Sequence, residues 1–129
     1  LQTFTVSANA VLLSISLGSI AAAVLAVNNW RDRVHDKSIG RQTLAVVLGD
    51  KTFTAVFRIM TALPLALGLV MAAAPGFWPC LLVLLCLPLW KQFGTLQHEA
   101  LNATMFGCVK YELAYSVLFS LGALLACLL

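Results

Sequence analysis

The residues best equipped for chemistry are two aspartates four positions apart, Asp32 and Asp36, set among Asn28, Asn29, Arg31, Arg33, Lys37 and Arg41. On a helix that spacing puts both carboxylates on one face, with Cβ atoms about 5–6 Å apart. Two like charges held so close repel, so a divalent cation or the neighbouring basic side chains must offset them. Mg²⁺ takes one or two carboxylates, several waters and phosphate oxygens. The carboxylates would hold the ion, the amides would orient ligands, and a fork such as Arg41 would take phosphate oxygens bidentately. The same residues also suit a solvated, self-neutralising charge cluster, since DxxxD arises by chance in many helices. Spacing alone leaves both open. His35 shares part of this face, but Mg²⁺ prefers oxygen, and a bystander role is expected for it.

These residues sit in a chain that carries little other charge. Of 129 residues, 61% are hydrophobic and 10% charged, and the mean hydropathy is +0.96. Soluble domains carry roughly 25% charged residues, so lipid must be the solvent for much of this chain. The apolar stretches are continuous rather than alternating, which argues against a β-barrel. At about 20 residues per span there is room for roughly four helices, and an all-α, polytopic transmembrane bundle is expected. The expected spans are 6–27, 53–74, 77–93 and 111–129, with a polar, Asp-rich loop over 28–52. Pro64 and Pro88 should kink the second and third spans. Ser14, Ser16, Gly18 and Ser19 suit close packing of the first. Trp30, Trp78 and Trp90 fall at span ends, as interfacial anchors do. Lys110, Tyr111 and Glu112 open the last span in the same manner.

Alternating these spans puts all 8 Lys and Arg and all 5 carboxylates on one side of the membrane. The positive-inside rule makes that side cytoplasmic. The net charge of +3 therefore reads as orientation, with nothing to indicate nucleic-acid binding. Cys80, Cys86, Cys108 and Cys127 have no CxxC spacing and read as small packing residues. His98 and Glu99 read as part of a solvated segment. The chain starts at Leu1 on apolar sequence, without the basic region and cleavage site of a signal peptide; a longer chain with an N-terminal part ahead of Leu1 is expected.

The string NNWRDRVHDKSIGRQTLAVVLG over residues 28–49 resembles the second aspartate-rich motif of the UbiA superfamily of intramembrane prenyltransferases. Its form, NNxRDxxxDxxxG(K/R)xTLAVxLG, is most similar to the menaquinone branch, which prenylates 1,4-dihydroxy-2-naphthoate. The position directly after a spanning helix matches as well. The resemblance implies a nine-helix bundle with two aspartate-rich cytoplasmic loops facing each other across a cavity, each holding Mg²⁺ on the diphosphate of a polyprenyl donor. This chain would supply the last four helices and the second loop. Asp32 and Asp36 match the metal-binding aspartates and Asn28 the amide position before them; Arg31, Lys37 and Arg41 are the implied diphosphate contacts. The family's first motif, NDxxDxxxD, and its YxxxK-type element do not occur in this sequence, so the piece alone is expected to be inactive. The implied location is the bacterial inner membrane. Two alternatives remain: a UbiA-type enzyme with another acceptor, 4-hydroxybenzoate or a tetrapyrrole, and a non-enzymatic four-helix membrane protein.

Overall fold

The structure, a computed structural model, describes residues 7–76, 78–93 and 101–128. α1 spans Ala8–Ser38 and α2 spans Leu44–Ala72. A 3₁₀ segment, Trp78–Cys86, passes into the short α3, Leu87–Lys91, and α4 spans Leu101–Leu128. Among the described residues there is no strand. α1, α2 and α4 are long and apolar enough to cross a membrane, and residues 78–91 make a shorter apolar helix. Successive elements run in opposite directions. Trp30 near the end of α1 stacks on Phe53 near the start of α2, and Phe57 of α2 meets Phe93, just past α3.

The stretch 28–52, expected as a loop, is largely helical. α1 begins at Ser7, whose hydroxyl accepts from the Ala10 N–H at 3.2 Å, and continues unbroken to Ser38. The change to polar residues at Asn28 marks where the helix leaves lipid, not where it ends, because Arg, Asp, Lys and His are all tolerated in helices. The first true breaker is Gly40, whose φ of +75° is readily adopted only by glycine. At 31 residues, α1 is about 46 Å long at 1.5 Å per residue. A hydrocarbon core of roughly 30 Å leaves its last third projecting into water, and that third is the polar one.

α2 carries a break near its start. Gly49 has φ +68° and ψ 173°, which separates a short helical turn over 44–48 from the span proper. Pro64, expected to kink this helix, sits within it, and the non-helical dihedrals fall at Gly49 instead. Two α4 tyrosines tie the backbone around that proline. Tyr111 Oη donates to the Thr61 carbonyl at 3.0 Å and Tyr115 Oη to the Pro64 carbonyl at 3.1 Å. Tyr111 is thus a fully buried core residue, and α4 starts about ten residues earlier than expected, at Leu101, so Lys110 and Glu112 lie within the helix rather than at its start.

Pro88 does not kink its span either. It lies in the first turn of α3, where a missing N–H costs nothing. The preceding 3₁₀ segment rises about 2.0 Å per residue, so its 9 residues reach farther than the same length of α-helix. It packs where glycine admits it. A Cβ on Gly68 would lie 2.6 Å from Val83 Cγ2, and one on Gly122 would lie 2.7 Å from the Pro79 carbonyl oxygen. Gly18, by contrast, has nothing within 4 Å of its Cβ position. Of the small residues noted in the first span, Ser16 is the one that is fully buried.

Candidate functional site

The projecting end of α1, the start of α2 and the chain around Phe93 meet at the polar end of the bundle. Asn28, Asp32 and Asp36 follow one another along α1 at four-residue steps, so they share a face. Their surroundings differ. Asp32 is exposed, and Arg31 clasps it from the side: Nε donates to Oδ1 at 2.9 Å and Nη2 to Oδ2 at 3.3 Å. The hydrogen bond from Arg31 holds the Asp32 carboxyl below the usual carboxylate range, against a smaller opposing effect of desolvation.

Asp36 is only 4% exposed, where the chain folds back after α1. The Arg41 N–H donates to the Asp36 main-chain carbonyl at 2.8 Å, and Arg41 Nη1 stands 3.5 Å from Oδ1. That is longer than a well-formed N–H···O bond. The Arg41 side chain is 69% exposed, so it can leave its partner without disturbing the core. Asn28 is half-buried, while Arg31, His35 and Lys37 are exposed.

The donor chemistry fits Mg²⁺ as half of a site. Carboxylates and an amide are hard oxygen donors, and one or two carboxylates are its usual share from protein. Among the described residues no three His, Cys, Asp or Glu side chains gather around one point. The remaining ligands would be phosphate oxygens, waters or groups outside these residues. His98 and Glu99 lie outside the described residues.

Arg33 and Lys37 turn away from the aspartate face. The Arg33 guanidinium lies 3.9 Å above the Trp30 ring, and its Nη2 is 3.6 Å from Asp50 Oδ2. Trp30 stacks in turn on Phe53, with centroids 5.0 Å apart and planes 13° from parallel. Trp30 is 2% exposed; it belongs to the core, whereas Trp78 is exposed as an interfacial anchor would be. A cavity of about 300 Å³ beside Arg33 is lined also by Val34, Lys37, Val46, Gly49 and Asp50. Sequence reasoning missed Arg33 and Asp50 as a pair. The three-residue step from Trp30 to Arg33 was the available signal, since it places a cation over an aromatic on one helix.

An apolar groove of about 200 Å³ runs between α1 and α2 from the same end, lined by Ala22, Leu25, Ala26, Phe57 and Met60 below, with Asn29 and Leu48 above. A comparable hollow at the opposite end, between Trp78, Leu85 and Leu125, is almost purely apolar. The polar end therefore joins an oxygen-donor face, arginines able to let go of their carboxylates, and a greasy groove.

The model of the UbiA prenyltransferase family matches residues 1–107. The chain is 30% identical over 131 aligned residues to a 1,4-dihydroxy-2-naphthoate octaprenyltransferase of Haemophilus influenzae, a match covering 97% of this chain and 42% of that protein. It is 31% identical over 80 residues to the Bacillus subtilis protein of the same name, covering 60% of this chain and 26% of the relative. The chain thus spans about two fifths of the Haemophilus relative's length. No solved structure matches it. The family match takes in α1, α2 and the aspartate face between them, and an all-helical membrane bundle built around that motif belongs to the UbiA prenyltransferase family.

Proposed function

We propose that this chain supplies the second aspartate-rich half of a prenyltransferase site, one that moves a polyprenyl group from its diphosphate to 1,4-dihydroxy-2-naphthoate in menaquinone biosynthesis. The observation that carries the proposal is the Asp32–Asp36 face on the projecting end of α1, next to a groove that leads back between the spans. The names of the two relatives favour naphthoate as acceptor. The bacterial relatives favour a bacterial inner membrane, and the one-sided charge distribution favours this end as cytoplasmic.

Asp32 and Asp36 would hold Mg²⁺, which when bound neutralises the diphosphate as it leaves. The Asn28 amide orients ligands beside them. Arg31 and Arg41 exchange carboxylate oxygens for phosphate oxygens, a swap their exposure permits. Lys37, the other expected diphosphate contact, also lines the Arg33 cavity. The apolar side chains of the α1–α2 groove take lipid-like tail and exclude water, which would quench an allylic cation. The allylic C–O bond breaks, its electrons leaving with the diphosphate. The electron-rich ring carbon bonds to the allyl group and releases its carboxylate as CO₂.

The test uses the complete reading frame that contains these residues, expressed in membranes and assayed with Mg²⁺, a polyprenyl diphosphate and a panel of three acceptors: naphthoate, 4-hydroxybenzoate and a tetrapyrrole. Transfer to naphthoate, lost by more than about 100-fold in Asp32→Ala and Asp36→Ala, is the expected result. Undiminished transfer in both variants refutes the assignment of the face, and transfer to another acceptor alone refutes the substrate. Residues 1–129 by themselves are expected to be inactive, because they hold one aspartate-rich motif and not the other.

A further inference from the structure

Beside the aspartate face, the polar end holds a second set of donors, turned to a cavity of their own. Arg33 and Lys37 each follow an aspartate by one residue, which on a helix turns them about 100° away. Both line the cavity of about 300 Å³ between α1 and the start of α2, a volume at the low end for small-ligand clefts. Arg33 is held in place by the Trp30 ring beneath it and by Asp50 at 3.6 Å. Its Nη1 is buried and has no hydrogen-bond partner. A buried donor without an acceptor is costly, and a small turn of the guanidinium, which lines the cavity, would let it reach an acceptor there.

The charges around this cavity do not cancel. Asp50 is its one carboxylate among the described lining residues and is already shared with Arg33, whereas Lys37 is exposed and in no ion pair among the described residues. A net positive charge is left for a ligand. Val34, Ala45 and Val46 give the cavity an apolar wall. It opens just past the apolar stretch of α1, on the side where a headgroup of the adjoining leaflet could reach it.

The geometry points to a binding site for a singly charged phosphate group, that of an anionic phospholipid headgroup in the surrounding bilayer. The Arg33 guanidinium, turning from Asp50, takes the phosphate oxygens, Lys37 supplies the second charge, and the valines meet the glycerol end. Basic pockets between spans on the cytoplasmic side select anionic headgroups by this combination.

The same chemistry could be met by a soluble phosphate, so the experiment carries separate arms. The complete reading frame is purified in detergent, and its thermal unfolding is followed with phosphatidylglycerol, with phosphatidylcholine and with inorganic diphosphate. Phosphatidylglycerol is expected to raise the midpoint saturably and phosphatidylcholine to leave it in place, while diphosphate, which the aspartate face would also bind, raises it equally in the unsubstituted protein and in the two variants below. Lys37→Gln, at an exposed side chain, should weaken the apparent affinity about tenfold, the loss of one charge-assisted hydrogen bond. Arg33→Lys, which keeps the charge but not the planar fork, should weaken it similarly. A phosphatidylglycerol response unchanged in both variants overturns the site. A diphosphate response that weakens in Lys37→Gln and Arg33→Lys as much as the phosphatidylglycerol response does overturns the headgroup as its ligand.

Discussion

Replacing Gly68 with alanine tests the packing that brings the 3₁₀ segment against α2. The new methyl would lie 2.6 Å from Val83 Cγ2 and 3.7 Å from Tyr115 Oη. Carbon atoms pack best at about 3.5–4.0 Å, so the overlap is about 1 Å against a side chain that is itself fully buried. Overpacking of this kind costs about 1–3 kcal/mol. The obstacle is a side-chain methyl, and removing it should undo the damage. Val83→Ala alone loses packing, but in Gly68→Ala/Val83→Ala the added methyl fills space that the valine vacates. The double variant should therefore be more stable than the sum of the singles implies, by about 1 kcal/mol or more. Gly122→Ala behaves differently, because its obstacles are the Pro79 carbonyl and the Cys80 Cα, at 2.7 and 3.0 Å. No side-chain truncation removes those, and Pro79→Ala gives no rescue. Unfolding is followed in detergent on the complete reading frame by thiol labelling, since Cys80, Cys86 and Cys108 are buried. Strict additivity in the Gly68/Val83 cycle would refute the close approach.

Tyr111→Phe and Tyr115→Phe each delete a hydroxyl that donates to an α2 carbonyl near Pro64. Such bonds inside membrane proteins average about 0.6 kcal/mol and reach about 1.7, so each variant should lose that much in the same unfolding assay; no loss in either would mean that packing alone seats α4. A pH profile of prenyl transfer tests the Arg31–Asp32 pair. Arg31 holds the Asp32 carboxyl low, and a depressed carboxyl contributes stability above its unfolded pKa that fades as pH falls through the folded one. Arg31→Gln removes the cause, so the acid limb should move to higher pH; an acid limb that stays put or moves lower contradicts the pairing.

How much of this was legible in the sequence depends on the range of the interaction involved. The all-helical bundle follows from composition, and the grouping of charges at one end follows from where the apolar runs stop. The break at Gly49 is local too, a glycine beside Asp50 at the end of a short apolar run. Helix limits were harder. Hydropathy marks the edge of the lipid, while a helix ends where backbone chemistry ends it, so α1 runs through its polar stretch to the glycine at 40. The prolines misled for a related reason. Whether Pro64 bends α2 depends on what packs around it, and the contacts that tie the backbone there come from tyrosines some 50 residues away. The 3₁₀ form of residues 78–86 has no signature in its run of leucines, and the glycines that receive it lie on other elements.

The two aspartates on which the site rests look equivalent by spacing and are not equivalent in surroundings. As folded, Asp32 and Asp36 are each countered by an arginine close in sequence, Arg31 at 2.9 Å and Arg41 at 3.5 Å, so the face is neutral before any ligand arrives. Under the proposed function a metal and a diphosphate enter together, and every charged group keeps a partner: the carboxylates turn to the metal and the guanidiniums to the phosphate. That exchange is easy at Asp32, where both side chains are about half exposed. At Asp36 it requires Arg41 to swing aside from a carboxylate that is nearly buried, and the long contact and open position of Arg41 are what make this inexpensive. A neutral residue at 41 would leave the buried Asp36 charge uncompensated until the metal arrived. Under that function Arg41 would serve the resting protein as well as the bound substrate, which gives a physical reason for a cation at the residue after Gly40.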